Sequence, residues 1–232
     1  MLNISRIASL GLALAPCLVG SSLLAQQPVP QANSPKAPIG YILIDEEQWN
    51  SLADEPGRHI GRARDAYLMM DARDAAIELR KAALHVRVAA EHATERTNRA
   101  LVKSEHELEH VARQAEAGTF KSMEEFDAIT TRALHALAND QYVKASEAWR
   151  KRELRMAGLY LRASADNMER AAARAEASVR QSTATLAKDT RRISGKLVEG
   201  TGFVIDEVGS SFEAVGGAIE RFGLRFEGTA RK

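Results

Sequence analysis

Apolar residues recur every three or four positions between residues 75 and 115, which is the spacing of one face of an α-helix. The positions on this stripe are Ala75, Leu79, Ala82, Val86, Ala90, Ala93, Leu101, Leu108, Val111 and Ala115. Asp71 and Asp74 precede the stripe and favour a helix start, while Gly118 favours a helix stop. The pattern predicts one long helix between these residues. Thr97 and Ser104 interrupt the stripe, so we expect a polar layer there.

A second helical segment begins at Ser122, because Ser122 and Glu125 form an S-x-x-E capping box. Its apolar pattern reaches Trp149 and breaks near Arg152. A second long helix is predicted from there to about Val198.

An internal repeat relates the two segments. When the chain is shifted by 82 residues, positions 62–93 align with positions 144–175 without a gap. This alignment predicts two duplicated helix-turn-long-helix units. They would pack as an all-α, antiparallel four-helix bundle, with the amphipathic C-terminal helix beside it. The period is far from the roughly 34 residues of tetratricopeptide arrays, so we expect a bundle rather than a solenoid.

The last segment, residues 201–232, has an amphipathic pattern of its own. Its apolar residues are spaced close to a heptad repeat and comprise Val204, Val208, Phe212, Val215, Ile219 and Phe222. We call these six residues the C-terminal seam. An amphipathic helix needs a surface to cover its apolar face. The seam is therefore expected either to bind a protein partner or a second copy, or to pack on its own bundle.

The first 25 residues have the features of a secretory signal peptide. Arg6 is followed by an uncharged apolar run, which ends in a small residue, Ala25. Residues 26–57 form a Pro-rich linker and a short lead-in that ends at a break at Pro56-Gly57, and residues 58–200 form the predicted bundle. We expect an exported protein, periplasmic or extracellular. Lipidation at Cys17, or retention of the signal as a membrane anchor, are the alternatives.

Composition and charge narrow the class of partner. The chain has 232 residues, of which 45% are hydrophobic and 5% aromatic, so its core must consist largely of Ala, Leu, Val and Ile. It carries 32 Lys and Arg against 31 Asp and Glu. A near-neutral chain argues against nucleic acid as an electrostatic partner. The acidic residues of the C-terminal segment argue against membrane-surface contact.

The stretch His106-Glu107-Leu108-Glu109-His110 matches H-E-x-x-H, the zinc motif of many metallopeptidases. On a helical wheel Leu108 points to the buried side, and His106 and His110 point away from it. A peptidase would need both imidazoles in a cleft and a third ligand, and the sequence offers no convincing third ligand. We therefore interpret this stretch as a solvated helix face, with zinc peptidase as a remote alternative.

A milder metal site is also compatible with the pattern. His85, His92, His106 and His110 share one side of the predicted long helix, and only His106 and His110 are close enough to bind one Zn²⁺ or Cu²⁺ ion. No catalytic motif is found, so we do not expect an enzyme and predict no cofactor beyond such a metal. The expected function is helix-mediated protein interaction or assembly, and the alternative is binding of a metal or small ligand.

Overall fold

The computed structural model describes residues 46–120, 122–173 and 175–229, and within them the chain is entirely helical. The described residues contain seven α-helices and no strand: α1 (Glu46–Leu68), α2 (Ala72–Glu91), α3 (Glu95–Glu116), α4 (Met123–Arg150), α5 (Leu154–Ala172), α6 (Ala177–Glu199) and α7 (Ile205–Thr229). The predicted all-α class is confirmed. The predicted signal peptide and the Pro-rich part of the linker lie outside the described residues.

Each helix packs against the next one along the chain, and short turns make such neighbours antiparallel. Further contacts join α4 to α1 and α7, and α5 to α1. The result is the antiparallel bundle that the sequence predicted, built from more helices than the expected four. None of the described helices combines the length and the hydropathy needed to span a lipid bilayer.

The first predicted long helix is interrupted at residues 92–94, so this part of the prediction is wrong. Helix α2 ends at Glu91, and α3 begins at Glu95 and packs back on α2. Thr94 has the extended backbone of a helix N-cap, with φ −70° and ψ 158°. The Asn98 side-chain amide donates a 2.8 Å hydrogen bond to the carbonyl oxygen of Ala90, which caps the end of α2. The turn needs neither Gly nor Pro, and apolar periodicity alone does not reveal it.

The expected polar layer is present, because Thr97 and Ser104 are both buried. The Thr97 hydroxyl donates a 2.7 Å hydrogen bond to Oδ1 of Asp140 in α4. Lys144 Nζ lies 2.6 Å from the other carboxylate oxygen of Asp140. Asp140 is completely buried, so these two contacts compensate the cost of removing its charge from water. They also join α3 to α4.

The second predicted long helix is also two helices, since α5 ends at Ala172 and α6 begins at Ala177. Each predicted helix-turn-long-helix unit is therefore three helices. Left-handed backbone recurs at the 82-residue offset: φ is 60° at Met70 and 61° at Arg152, and 64° at Gly118 and 71° at Gly200. That the two units arose by duplication stays a prediction.

Helix α1 continues through Pro56, where the sequence predicted a break. Proline removes one backbone hydrogen bond inside a helix, and here Pro56 is buried among neighbouring residues. At Gly57 the helix comes so close to α5 that a Cβ atom would lie 2.5 Å from Cδ of Arg170. Arg170 also forms a 2.8 Å ion pair with Asp54 of α1. Residues 46–57, assigned above to the lead-in, thus belong to the bundle.

Helix α7 packs on α4, α5 and α6 through the C-terminal seam. Five seam residues are buried within the chain: Val208, Phe212, Val215, Ile219 and Phe222. Val204 differs, since 61% of it is exposed. The ring of Phe212 stacks on Trp149 at a centroid distance of 6.1 Å. Of the two alternatives given for the seam, packing on the chain's own bundle is the one found in this structure.

Close packing of α5 on α6 depends on Gly158, and this gives a first prediction. A Cβ atom at residue 158 would lie 2.7 Å from the backbone carbonyl oxygen of Ser194 and 3.0 Å from Leu197 Cβ. Because a backbone atom cannot turn aside, Gly158→Ala should lower the free energy of unfolding by about 1–3 kcal/mol. Urea unfolding followed by circular dichroism measures this change.

Gly195→Ala in the facing helix α6 is the matched control. No atom lies within 4 Å of a Cβ placed there, so the gain in helix propensity should raise stability by about 0.5–1 kcal/mol. Equal effects of the two substitutions would contradict the close approach at Gly158.

The docking of α7 should weaken in mild acid because of His135 in α4. Its Nε2–H donates a 2.8 Å hydrogen bond to the carbonyl oxygen of Ile219, and its ring lies 5.9 Å from that of Phe222. Burial lowers the pKa of His135 below its ordinary value of 6.5, an effect only partly offset by the bond to Ile219. The folded chain therefore binds a proton at His135 less readily than the unfolded chain does. Above about pH 6.5 both states keep His135 neutral, and below that value the free energy of unfolding falls because protonation favours the unfolded chain.

We expect the free energy of unfolding to fall between pH 7.5 and pH 5, and to fall less steeply in His135→Gln. The glutamine amide can still donate to Ile219 but does not titrate. Denaturant unfolding of both proteins at several pH values measures the difference in slope. Identical slopes would show that His135 does not govern the acid sensitivity.

Candidate metal cluster and adjoining cavity

The histidines of the H-E-x-x-H stretch lie on the surface of α3. His106 and His110 are exposed, whereas Leu108 is completely buried. The His106 ring lies 3.4 Å from the carboxylate of Glu105. Both histidines border an open groove between α3 and α4 that also contains Arg99, Lys103, Arg132 and Glu107. Glu107 forms ion pairs with Arg132 and Lys103, so three cationic side chains face one carboxylate and the net positive charge opposes the binding of a metal ion.

The four histidines predicted to share one helix face do not do so. The turn at residues 92–94 contains His92, and it separates His85 in α2 from His106 and His110 in α3. The described residues contain one group of three side chains that could together hold a metal ion, and it is a different set. That group is Glu55, His59 and His85. Their candidate ligand atoms all lie within 4.8 Å of one another.

Helices α1 and α2 assemble this group, which we call the Glu55–His59–His85 cluster. Glu55 and His59 are four residues apart in α1 and therefore share one face of the helix. His59 Nε2 lies 3.2 Å from Glu55 Oε2. Two ligands of one tetrahedral ion with bonds of about 2.1 Å would be roughly 3.4 Å apart, so this pair already has the required spacing. His85 joins them from α2.

Glu78 holds the imidazole of His59 from the other side. His59 Nδ1 lies 2.6 Å from Glu78 Oε2, and His59 is buried. Because the carboxylate accepts the Nδ1–H, Nε2 is left as the nitrogen that faces Glu55. Burial disfavours ionised Glu78, but hydrogen bonds from Lys81 and His59 outweigh it and lower the Glu78 pKa. A carboxylate that orients a ligating histidine in this way is common around bound zinc.

The surroundings of His85 favour its neutral form, which is the form that binds a metal ion. Its ring stacks on that of His59 with centroids 5.5 Å apart and an interplanar angle of 22°. Burial, together with the nearby His59, lowers the pKa of His85, although Glu55 acts in the opposite direction. A neutral imidazole at neutral pH has a free lone pair for a metal ion.

The charges around the cluster favour a cation only moderately. Glu55 also forms an ion pair with Arg58, and Glu78 forms one with Lys81 at 2.5 Å. A metal ion would compete with Arg58 for the Glu55 carboxylate. The resulting set of two imidazoles and one carboxylate suits Zn²⁺ and other late transition metals better than Mg²⁺ or Ca²⁺, which prefer oxygen ligands.

A cavity of about 350 Å³ adjoins the cluster, and His85 belongs to both. Its walls come from four helices and one helix cap: Trp49, Leu52, Ala53 and Pro56 of α1; His85, Val88 and Ala89 of α2, with His92 at the C-cap of that helix; Leu137, Gln141 and Lys144 of α4; and Tyr160 and Asn167 of α5. The rings of Trp49 and Tyr160 meet edge to face with centroids 5.0 Å apart. Burial raises the pKa of Tyr160, and Asp140 and Glu153 add to this effect, so its hydroxyl stays protonated.

Three polar atoms at this cavity lack a hydrogen-bond partner among the described residues: Trp49 Nε1, Gln141 Oε1 and Asn167 Oδ1. Asn167 is 2% exposed, so water outside the protein does not reach it readily. Buried polar atoms are normally paired, because leaving one unpaired costs about 1–3 kcal/mol. All three residues line the cavity through other atoms, because the three unpaired polar atoms themselves have almost no accessible surface.

The sequence did not reveal this site, although one signal was present. Glu55 and His59 are four residues apart, but the sequence predicts a break at Pro56-Gly57 and so does not place them on one helix. The pattern places His85 on a histidine face of its own helix, whereas its partners lie on another helix. Pairing α1 with α2 is a tertiary event, and no periodicity within one helix predicts it.

Comparison of the chain with protein-family models, curated proteins and solved structures found no match.

Proposed function

We propose that this chain is an exported helical protein that binds one divalent transition-metal ion, Zn²⁺ or Cu²⁺, through Glu55, His59 and His85. The observation that carries the proposal is the fixed orientation of His59 between two carboxylates. Glu78 engages Nδ1 at 2.6 Å, and Glu55 lies 3.2 Å from Nε2. A carboxylate that accepts the Nδ1–H of a histidine orients Nε2 for a metal ion, and Glu55 lies beside that nitrogen as a second ligand.

Burial adds to the support. His59 is only 8% exposed, and the side chains of Glu55 and Glu78 are 27% and 14% exposed. An ion bound there would have lost most of its hydration, so its attraction to the carboxylates would be weakly screened. The exposed pair His106 and His110 lacks this burial.

Two parts of the proposal, export and a non-catalytic role, are supported by the sequence. The apolar run in residues 1–25 supports export, and the lack of a catalytic motif supports a binding protein. Assembly through the C-terminal seam would require α7 to leave its own bundle, because five seam residues pack inside the chain. Metal binding needs no such rearrangement.

Calorimetric titration with Zn²⁺ at neutral pH tests the proposal. The unmodified protein should bind one ion, and Glu55→Gln and His85→Gln should each weaken binding by at least about ten-fold, because each removes a ligand. Glu78→Gln should weaken binding by about 10- to 100-fold without removing a ligand, because it disturbs the orientation of His59. Affinity should also fall at acidic pH as protons compete for the imidazoles.

The double variant His106→Ala/His110→Ala is the matched control, since it removes the two histidines of the sequence motif. Its zinc affinity should equal that of the unmodified protein. Loss of binding in this variant, together with unchanged binding in Glu55→Gln and His85→Gln, would move the site to α3 and refute the proposal.

A further inference from the structure

We propose that the open groove between α3 and α4 binds a small anion that bears two or more phosphate groups. This inference goes beyond metal binding and does not depend on it, because the groove and the Glu55–His59–His85 cluster share no residue. It rests on the side chains that line the groove, on their charges and on their spacing.

Four basic side chains of α3 form one stripe along the groove, which we call the α3 basic stripe: Arg99, Lys103, His106 and His110. The steps between them are four, three and four residues, and such steps place successive side chains next to one another on one face of a helix. The stripe is open to solvent, since the side chains of Lys103 and His106 are 71% and 74% exposed. A dissolved anion can therefore reach it.

Helix α4 adds a cation from the opposite wall of the groove. Arg132 Nε lies 3.1 Å from Oε2 of Glu107, and Lys103 Nζ lies 3.9 Å from Oε1 of the same carboxylate. Because both cations contact one carboxylate group, they face the same part of the groove. An anion placed there meets positive charge from both helices.

The groove contains more positive charge than it neutralises. Among the described residues that line it, Arg99, Lys103 and Arg132 are cationic, and Glu107 is the only carboxylate. The ion pairs within the described part of the chain leave Arg99 without a carboxylate partner. A groove with an excess of one charge concentrates small ions of the opposite sign.

The donors of the groove favour phosphate over carboxylate. A guanidinium donates paired hydrogen bonds to two phosphate oxygens, and an ammonium group or an imidazole N–H can donate to another. A phosphate group offers three acceptor oxygens and carries about two negative charges, whereas a carboxylate has two oxygens and one charge. His106 also lies 3.4 Å from Glu105, but Glu105 does not line the groove.

The length of the α3 basic stripe favours an anion with several phosphate groups. Arg99 and His110 are eleven residues apart, which is about 16 Å along a helix axis. One phosphate group can contact only neighbouring donors, whereas linked phosphates can contact several at once. The whole chain is near neutral, with 32 Lys and Arg against 31 Asp and Glu, so a small anion matches this local charge better than a long polyanion does.

The test uses inorganic triphosphate as the probe, with orthophosphate and the tricarboxylate tricarballylate as comparison anions. Calorimetry is performed at low ionic strength on the full chain, after a chelating resin has removed metal ions. We expect triphosphate to bind one site and to bind at least about ten-fold more tightly than either comparison anion, because its phosphate groups are linked. Its affinity should fall in about 0.5 M NaCl, because salt screens exposed charges.

Variants that remove a cation locate the site. Arg99→Gln and Lys103→Gln should each weaken triphosphate binding by about three-fold or more, because each removes a charged donor. Arg73→Gln and Lys188→Gln are the matched controls, since they remove the same charges from exposed positions of α2 and α6 that do not line the groove. Both controls should bind triphosphate within about two-fold of the unmodified protein, because distant exposed charges are screened.

Glu107→Gln should change the affinity in the opposite direction. It removes the carboxylate that Arg132 and Lys103 contact, so triphosphate should bind about three-fold or more tightly. Glu109→Gln is the matched control, because it removes the same charge from α3 at a position that does not line the groove. A structural role of Glu107 alone would not produce tighter binding. Circular dichroism checks that every variant is folded.

The proposal is overturned if triphosphate fails to bind at millimolar concentration, or if orthophosphate or tricarballylate binds as tightly. It is also overturned if Arg99→Gln and Lys103→Gln behave like their controls. The double variant His106→Ala/His110→Ala should weaken triphosphate binding and leave zinc binding unchanged. The two proposals can therefore fail independently.

Discussion

Close packing of helices through small residues is the constraint on which this fold depends. The buried core is rich in alanine, and α5 approaches α6 at Gly158 until a Cβ atom would touch the backbone of Ser194. With few aromatic residues available, the chain gains dispersion contacts by bringing backbones together rather than by filling space with large side chains. The few aromatic rings meet one another between helices, as in the stack of Trp149 on Phe212.

This packing also creates the Glu55–His59–His85 cluster and the cavity beside it. Because α1 lies close to α2, His59 reaches Glu78 and stacks on His85, and the orientation of its Nε2 follows from that contact. The cavity arises where the facing residues are small: Ala53 and Pro56 of α1 and Ala89 of α2 leave space that α4 and α5 do not fill. The same preference for small residues thus stabilises most of the bundle and leaves an opening at one place.

The sequence predicted helix caps and helix ends, which depend on residues close together in the chain. It missed the features that depend on contacts between different helices. Asp71 and Ser122 cap helices as expected, each accepting a backbone N–H three residues later. Gly200 ends α6 with φ 71°. The turn at residues 92–94 was missed because Asn98, the fourth residue of α3, caps α2 by reaching back to Ala90. The metal cluster was missed because its ligands come from two helices, one of which contains Pro56.

Anomalous X-ray diffraction from crystals soaked in Zn²⁺ tests the central claim most directly, because it locates the ion without relying on variants. The account predicts a single strong peak within about 2.0–2.2 Å of a Glu55 oxygen, His59 Nε2 and a His85 ring nitrogen. Glu78 would remain hydrogen-bonded to His59 Nδ1. A peak between His106 and His110, or the absence of a peak at the Glu55–His59–His85 cluster, would contradict it.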